Sequence, residues 1–276
     1  MIIDEAKKLL AKNLNQEEAR DIIQYVTGLS NQEQLLNYKK ELSQSDEEKI
    51  KAILTKRTNG YPLQYILGKW SFMGRDFSVG EGVLIPRDDT EVVVLSVIPY
   101  LKQNKKARII DLCSGSGIIA VTLKCMFPQS EVHALELSEK AFPYLKMNIE
   151  SLAPDVILHK GDLNLLCNSF GDNYFDLVIS NPPYIESKII PTLQTEVQNE
   201  PKMALDGGTD GLDFYRSIIQ KWSDKLKSGG MMAFELGEGQ FDPVKTIMKE
   251  NGFENISEFM DLGNIQRAIN GTLKLK

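Results

Sequence analysis

The feature that most constrains this chain is a regular alternation of short apolar runs with helical stretches between residues 108 and 236. Five runs of strand length lie near residues 108–112, 131–135, 155–159, 174–180 and 230–236. Such alternation is typical of an α/β fold with a mainly parallel sheet. Two further strand-like runs, near 253–261 and 265–270, have no helix between them. They predict a hairpin that adds an antiparallel edge, which makes seven strands in all.

The first sixty residues have a different pattern, that of amphipathic helices. Apolar residues share one face within residues 3–10 and another within residues 19–26. Residues 45–48 have the Ser-x-x-Glu spacing of a capping box, which predicts that a third helix begins there. Asn59 and Gly60, with Pro62 shortly after, are expected to end that helix.

A short region between the helices and the sheet changes pattern again. Trp70, Phe72 and Phe77 alternate around a Gly-Arg-Asp turn at 74–76, which predicts a small hairpin. We therefore expect three regions. Residues 1–68 form a helical-bundle domain, residues 69–87 form a β-hairpin linker, and residues 88–276 form the sheet domain.

Composition excludes several classes of protein. The 276 residues carry a net charge of −6, so a broad basic face that grips nucleic acid is not expected. The three cysteines and two histidines lack metal-ligand spacing, so we expect no metal site. Unpaired thiols suit a reducing compartment. The amino-terminal residues lack the apolar run of a signal peptide. We expect a cytoplasmic protein, for which a monomer suffices.

A ligand-binding pattern follows the first strand of the predicted sheet. The apolar run ends in Asp111, and a loop of small residues at 113–117, with two glycines, leads into a helix. Glycines permit close approach of a ligand to the backbone, and a helix start offers unpaired N–H groups. No third glycine completes a dinucleotide fingerprint, and no Gly-Lys-Ser/Thr marks a P-loop. The acid and the loop suit a ligand that carries an ammonium group and a ribose.

Two further acids end strands of the same predicted sheet. Glu136 lies about 20 residues beyond Gly117, the usual offset of an acid that binds ribose hydroxyls. The alternative is that Glu136 only supplies negative charge to a helix start. Asp162 is placed to accept from an adenine amino group, with Leu163 covering the ring. The alternative for Asp162 is a loop cap.

The tetrapeptide Asn181-Pro182-Pro183-Tyr184 directly follows the strand predicted at 174–180. Ligands of open α/β sheets bind at this edge, beyond the carboxyl ends of the strands. The Asn181 amide oxygen and the Pro182 carbonyl are hydrogen-bond acceptors, so they are suited to hold a planar NH2 group. Tyr184 would flank that group, and Pro183 would stiffen the turn. The alternative is a proline-rich turn without chemistry.

The segment that follows the tetrapeptide is also unusual. Residues 186–211 contain two prolines and three glycines and little periodicity. A loop this long inside a compact domain is usually functional. We expect it to lie over the acceptor site, and a tolerated insertion is the alternative.

Taken together, these motifs resemble one family of methyltransferases. The family is the peptide chain release factor glutamine N5-methyltransferases, which use S-adenosylmethionine and have a Rossmann-like sheet. The resemblance covers nearly the whole chain and is weakest over the first sixty residues. It also includes Leu84-Ile85-Pro86-Arg87, Asp89-Thr90-Glu91, Glu200-Pro201, Ala204-Leu205, Gly207-Gly208, Asp210-Gly211-Leu212, Glu235, Gly237, Gln240, Asp261-Leu262, Arg267 and Gly271. The departures are Asp88 for a usual Pro, Cys113 for Gly, Glu136 for Asp and Leu163 for Trp.

The resemblance implies an activity and a set of site residues. The methyl group of S-adenosylmethionine would be transferred to the side-chain nitrogen of the glutamine in the Gly-Gly-Gln loop of release factors, and residues 1–68 would recognise that protein. The implied catalytic residues are Asn181, Pro182 and Tyr184, and the implied substrate-binding residues are these three together with Pro183. The implied cofactor-binding residues are Asp111, Cys113, Ser114, Gly115, Ser116, Gly117, Glu136, Asp162, Leu163 and Asn181.

Other acceptors remain open, because the tetrapeptide defines the chemistry and not the molecule. Adenine carries a planar amino group on a π system, and adenine-N6 methyltransferases use a similar tetrapeptide. Base methylation within a duplex would need base flipping and a basic groove, and the acidic composition argues against that. Glutamine methylation of a ribosomal protein is the nearest rival. A binding module without catalysis is the third alternative.

Overall fold

The computed structural model describes residues 1–275, which fall into two compact units. The first unit comprises Met1–Lys69 together with Gln194–Asn199, and the second comprises Trp70–Leu193 together with the residues from Glu200 onward. Within the described range, no helix combines the length and the apolar character that a membrane crossing requires.

The elements are numbered here in chain order. The amino-terminal helices are α1 (Ile3–Asn13), α2 (Gln16–Thr27), α3 (Asn31–Leu36), α4 (Gln44–Thr58) and α5 (Leu63–Leu67), and the hairpin strands are β1 (Lys69–Phe72) and β2 (Arg75–Ser78). Then follow α6 (Thr90–Gln103), β3 (Arg108–Leu112), α7 (Ile118–Met126), β4 (Glu131–Glu136), α8 (Phe142–Leu152), β5 (Ile157–Lys160), α9 (Leu163–Leu166), β6 (Phe175–Ser180), α10 (Thr195–Gln198), α11 (Asp213–Trp222), β7 (Leu226–Glu235), α12 (Phe241–Glu250), β8 (Phe253–Met260) and β9 (Gln266–Leu273).

The first unit has its own hydrophobic core. The apolar faces of α1, α2 and α4 supply most of it, and its buried members are Ile3, Ala6, Leu10, Ala19, Ile22, Ile23, Ile50, Ile53 and Leu63. The prediction that α4 begins at a capping box of residues 45–48 is wrong. The cap is Ser43, whose hydroxyl accepts a hydrogen bond from the Asp46 backbone N–H at 3.1 Å. Ser43 and Ser45 are both followed three residues later by an acid, so spacing alone does not distinguish them.

A buried arginine joins α10 to the helices of the first unit. Arg57 donates to the Glu18 and Glu196 carboxylates, at 2.8 Å in each case, and to the Tyr61 carbonyl at 2.7 Å. Two carboxylates and a carbonyl use several of the guanidinium donors, which is the condition under which burial of an arginine is tolerated. Six residues from the middle of the predicted 186–211 loop thus belong to the helical unit.

The second unit is built on the seven-stranded sheet that the sequence predicts. The strand order is β5-β4-β3-β6-β7-β9-β8. The first five strands in that order pair in parallel, and β9 is antiparallel to both of its neighbours, β7 and β8. Helices α6, α7 and α8 bury their apolar residues in one cluster, and α9, α11 and α12 bury theirs in a second. The Rossmann-like sheet with an antiparallel edge is therefore confirmed. Strand β7 begins four residues before its predicted start, because Lys227, Ser228 and two glycines interrupt the apolar signal.

The strand order creates a crevice at one edge of this sheet. The chain moves outward from β3 to β4 and β5 on one side, and β6 and β7 lie on the other side. The order of connection thus reverses between β3 and β6, and loops beyond the carboxyl ends of the two strands separate there. The loop at 113–117 and Asn181 follow these two strands.

Two histidines pack against each other inside the second unit. His133 Nδ1 lies 2.9 Å from His159 Nε2, and His133 Nε2 lies 3.0 Å from a Glu131 carboxylate oxygen. The rings stack with their centroids 5.1 Å apart. Burial, and secondarily the charge of His133, lower the pKa of His159.

This pair predicts a loss of stability in mild acid. Because the folded-state pKa of His159 lies below its unfolded value of about 6.5, the unfolded chain binds a proton more readily as the pH falls through that value. Urea unfolding should therefore show a larger fall in midpoint between pH 7.5 and pH 5.5 for the wild type than for His159→Gln. Equal falls in the two proteins would show that His159 does not govern acid stability.

Candidate active site

A cavity of about 310 Å³ opens at the crevice of the sheet. That volume lies at the lower end of the range for small-molecule sites. Its wall includes most of the predicted cofactor residues, namely Cys113, Ser114, Gly115, Ser116, Glu136, Asp162, Leu163 and Asn181, and also Pro183. Asp111, Gly117, Pro182 and Tyr184 are outside that wall. The structure therefore brings the separate sequence motifs to one place.

The loop after β3 turns sharply into α7. Cys113, Gly115 and Gly117 all have positive φ angles, of 60°, 55° and 86°. Glycine adopts this conformation readily, whereas a cysteine does so rarely, so Cys113 occupies a position at which glycine would be less strained. Burial raises the pKa of the Cys113 thiol far above its ordinary range, which makes it a poor nucleophile.

Asp111 lies at the carboxyl end of β3 and is buried. One carboxylate oxygen accepts from the Ala120 N–H at 3.2 Å, and the other has no hydrogen-bond partner among the described residues. Burial raises the pKa of Asp111 to about 8. A buried acceptor without a partner is costly, so this oxygen is available to a donor group.

The two other predicted acids, Glu136 and Asp162, line the cavity and also accept hydrogen bonds from backbone N–H groups. Glu136 accepts from the N–H groups of Gly115 at 2.8 Å and Ser138 at 2.6 Å. Burial raises the Glu136 pKa, although these backbone hydrogen bonds oppose the shift. Asp162 caps α9 by accepting from the Asn164 N–H at 2.8 Å. The Asp162 contact is the cap that the alternative interpretation expects. The Glu136 contacts are with loop backbone and not with the first turn of α8, which begins at Phe142.

Asn181 lies at the carboxyl end of β6, in the cavity wall. Its Nδ2 donates to the hydroxyl oxygen of Thr90 at 3.2 Å. Tyr184 packs away from the cavity, and its hydroxyl donates to Glu235 at 3.2 Å. Burial, with the nearby Glu235, raises the pKa of Tyr184 well above 10. The structure thus gives Tyr184 a supporting contact and does not place its ring against the cavity.

Glu235, at the end of β7, is 1% exposed. Burial raises its pKa to about 7, and the nearby hydroxyl groups of Thr90 and Tyr184 oppose this shift. One of its carboxylate oxygens has no partner among the described residues. The family resemblance includes Glu235, but the sequence offered no role for it.

Further contacts hold the backbone of the tetrapeptide. Gln240 donates from Nε2 to the Tyr184 carbonyl at 2.9 Å, and its Oε1 accepts from the Gly237 N–H at 2.9 Å. A Cβ built on Gly207 would lie 2.7 Å from the Tyr184 Cα, so only glycine fits at that position without a backbone shift. The pairs Glu235 with Gln240 and Gly207 with Gly208 were visible as motifs, but their contact with the tetrapeptide depends on the fold.

The rim of the cavity contains residues that the sequence did not assign to the site. They are Gly82, Leu84, Ile85, Pro86, Arg87 and Thr90 before the sheet, and Pro201, Met203, Ala204 and Phe214 after the tetrapeptide. Glu200 joins the two groups, because its carboxylate accepts from the Ile85 N–H at 3.0 Å and pairs with Arg87. Three residues of the 186–211 loop, Pro201, Met203 and Ala204, thus lie in the cavity wall.

Two protein-family models match separate parts of the chain. Residues 2–68 match the PrmC N-terminal domain, and residues 90–257 match the Methyltransferase small domain. The chain also resembles the crystal structure of a methyltransferase from Pyrococcus furiosus, with a TM-score of 0.54 and 18% identity, over 83% of this chain and 99% of that one. The fold and the matched domain define a methyltransferase.

Relatives that match over most of their length identify a family within the methyltransferases. The chain is 35% identical over 272 residues to a release factor glutamine methyltransferase of Thermodesulfovibrio yellowstonii. The aligned residues cover 97% of this chain and 96% of the relative. It is 38% identical over 239 residues to the protein of that name from Geobacter sulfurreducens, with 86% and 82% covered. The chain belongs to the release factor glutamine methyltransferase family.

Proposed function

We propose that this protein transfers a methyl group from S-adenosylmethionine to the side-chain amide nitrogen of the glutamine in the Gly-Gly-Gln loop of peptide chain release factors. The observation that carries the proposal is one cavity that contains both Glu136 and Asn181, at the ends of β4 and β6. Family membership supports the same reaction, since relatives of similar length bear that name. Methylation of this kind would modulate translation termination in the cytoplasm.

The cavity fits S-adenosylmethionine in the chemistry of its donors. Glu136 and Asp162 present carboxylate oxygens to ribose hydroxyls and to the adenine amino group, and Leu163 offers an apolar surface to the ring. Asp111 lies outside the cavity wall, so its oxygen that lacks a partner among the described residues would contact the ammonium group through a water molecule. When bound, this cofactor supplies an electrophilic methyl carbon on a positively charged sulfur. No cluster of candidate metal ligands occurs among the described residues.

The acceptor nitrogen needs positioning more than it needs a base. A glutamine amide nitrogen is a poor nucleophile, because its lone pair is delocalised into the carbonyl, as in the peptide bond. Asn181 Oδ1 and the Pro182 carbonyl would each accept one of its N–H groups and turn its π face toward the methyl group. Orientation alone can lower a barrier by up to ~7–11 kcal/mol. The same oxygens stabilise positive charge that develops on nitrogen. The methylated nitrogen then loses its proton to solvent.

The helical unit is assigned to recognition of the protein substrate. Four of its large apolar side chains, Tyr25, Leu35, Leu36 and Tyr38, are 47–83% exposed. Exposed apolar and aromatic side chains of this kind are typical of protein interaction surfaces. One glutamine side chain offers far less area than the about 800 Å² per partner of a specific interface. A separate surface on residues 1–68 therefore supports selectivity for release factors over ribosomal proteins. A monomer suffices, because one chain forms the whole cavity.

Asn181→Ala tests the reaction directly. Purified protein, S-adenosylmethionine and a release factor should give a product whose Gly-Gly-Gln peptide is heavier by one methyl group. The substitution should lower the rate about 10²–10³-fold, as loss of one transition-state hydrogen bond does in other enzymes. Much of the cofactor affinity should remain, with some loss because Asn181 is also among the implied cofactor-binding residues. The exposed Asn104→Ala is the matched control. If Asn181→Ala turns over normally, the proposed mechanism is wrong. If only a ribosomal protein or a nucleic acid is methylated, the proposed substrate is wrong.

Glu136→Ala tests the cofactor site. Two ribose hydroxyls would lose their acceptor at a cost of roughly 1–3 kcal/mol, so calorimetry should show S-adenosylmethionine binding weakened about ten- to a hundredfold. Glu139→Ala is the matched control, because Glu139 is three residues away and its side chain is 81% exposed. An unchanged dissociation constant in Glu136→Ala would mean that Glu136 serves only the backbone of its loop.

Leu36→Asp tests the assignment of the helical unit. Loss of an interface side chain should raise the KM for the intact release factor by about fivefold or more. The rate on a short Gly-Gly-Gln peptide should stay unchanged, since under this proposal the helical unit contacts parts of the release factor outside that loop. Leu262→Asp makes the same change at an exposed leucine of the second unit and serves as the control. Equal effects on both substrates would assign Leu36 to folding and not to recognition.

A further inference from the structure

The acceptor tetrapeptide has few groups of its own that could fix it in place. Pro182 and Pro183 have no backbone N–H, so they cannot donate a hydrogen bond to a neighbouring segment. The proposed reaction also needs the Asn181 amide oxygen and the Pro182 carbonyl for the substrate. Ser180, the last residue of β6, anchors the amino-terminal side of the turn in the sheet. The other side therefore depends on contacts made by Tyr184 and the residues after it.

We propose that Gln240 is a positioning residue that holds this tetrapeptide in its reactive geometry. This inference rests on the proposed function, because it concerns how the acceptor site is held for that reaction. Gln240 directly precedes α12, and its side chain makes no cap hydrogen bond to any residue of that helix, Phe241–Glu250. Its Nε2 instead donates to the Tyr184 carbonyl at 2.9 Å and to the Gly211 carbonyl at 3.3 Å. Its Oε1 accepts from the Gly237 N–H at 2.9 Å.

The three backbone partners allow only one orientation of the Gln240 amide. A backbone N–H can only donate a hydrogen bond, and a backbone carbonyl can only accept one. If the amide were flipped, its oxygen would face the Tyr184 and Gly211 carbonyls. Its NH2 group would then face the Gly237 N–H. The observed orientation is therefore fixed by groups that cannot change role, whereas a hydroxyl partner could either donate or accept.

The surroundings of Gln240 allow an unusually close approach of these groups. A Cβ built on Gly211 would lie 2.4 Å from the Tyr184 carbonyl oxygen and 2.7 Å from Gln240 Nε2. A Cβ built on Gly237 would lie 2.9 Å from Gln240 Oε1. A larger residue at either position would push Gln240 or Tyr184 away, so the contact depends on glycines from two separate segments.

Gln240 also closes the base of the 186–211 loop. Tyr184 lies before that loop and Gly211 lies at its end, so one side chain joins both ends. Ile185 supports the same closure, because its N–H and its carbonyl both bond to the returning chain, at 2.9 and 2.8 Å. Loss of the Gln240 contacts should loosen Tyr184 while the sheet still holds the other end of the tetrapeptide. The turn between the two ends should then lose its fixed geometry.

Gln240→Met tests this role, because it removes the hydrogen bonds with little change of side-chain length. The variant should lower kcat about 10–100-fold, the scale expected when a reacting group is misplaced by about 1 Å. The loss should be the same on the intact release factor and on a short Gly-Gly-Gln peptide, since both use the tetrapeptide. The dissociation constant of S-adenosylmethionine should stay within about threefold, which is under 1 kcal/mol.

Asn270→Leu is the matched control for the loss of a side-chain amide. Asn270 is 5% exposed, and its Nδ2 donates to the Ser96 carbonyl at 3.0 Å, in the same unit but outside the cavity wall. The two substitutions should lower the urea midpoint by similar amounts. Only Gln240→Met should lower kcat, so an effect of reduced stability alone would appear in both variants.

Gly211→Ala tests the same contact from its other side. The new Cβ would displace the Tyr184 carbonyl and Gln240 Nε2, so kcat should fall as it does in Gln240→Met. The double variant should lose less than the product of the two single losses, because both changes disrupt one contact. Gly252→Ala is the matched control. Its φ of 84° is close to the 74° of Gly211, and within residues 1–275 its added Cβ would meet nothing within 4 Å beyond its chain neighbours.

The remaining outcomes separate this inference from the proposed function. Asn181→Ala is measured in parallel. If it retains normal transfer, the proposed function of Asn181 fails, and the positioning role fails with it. If Asn181→Ala is inactive and Gln240→Met keeps wild-type kcat, only the positioning role is wrong. Weaker cofactor affinity with unchanged kcat in Gln240→Met would assign Gln240 to the cofactor site instead. Losses that multiply in the double variant, or an equal loss of kcat in Asn270→Leu, would also overturn the positioning role.

Discussion

The parallel direction of β3, β4, β5 and β6 is the constraint on which the rest of this structure depends. Because these strands run the same way, the segments that follow them emerge at one edge of the sheet. Four motifs separated by up to seventy residues of sequence therefore line a single cavity. Reversal of the connection order between β3 and β6 opens the space in which the cavity lies.

A second feature of the site is that three of its acidic side chains are buried. Asp111, Glu136 and Glu235 all lie at strand ends, and burial raises the pKa of each carboxyl. Each retains hydrogen bonds to backbone or hydroxyl groups, and Asp111 and Glu235 each keep one oxygen that has no partner within residues 1–275. Such groups are unfavourable for stability alone, so they are expected where a ligand or a positioned side chain compensates them.

Much of the fold and part of the site could be predicted because the signals are local. Strand-length apolar runs predicted the sheet, and the resemblance implied the cofactor residues, eight of which line the cavity. The errors were also local. Competing serines misplaced the start of α4, and glycines hid the start of β7. Thr90 and Gln240 had no local signal of function, because their partners Asn181 and Tyr184 lie 91 and 56 residues away.

The sequence by itself determined the α/β class, the order of the elements and the chemical types in the tetrapeptide, since these follow from periodicity and residue identity over short windows. Only the tertiary structure decided which groups meet. In that structure the Tyr184 hydroxyl donates to Glu235, and Asn181 donates to Thr90. Helix α10 belongs to the helical unit, where Arg57 binds its Glu196. These contacts join distant segments, and their geometry depends on how the strands are ordered in space and not on spacing along the chain.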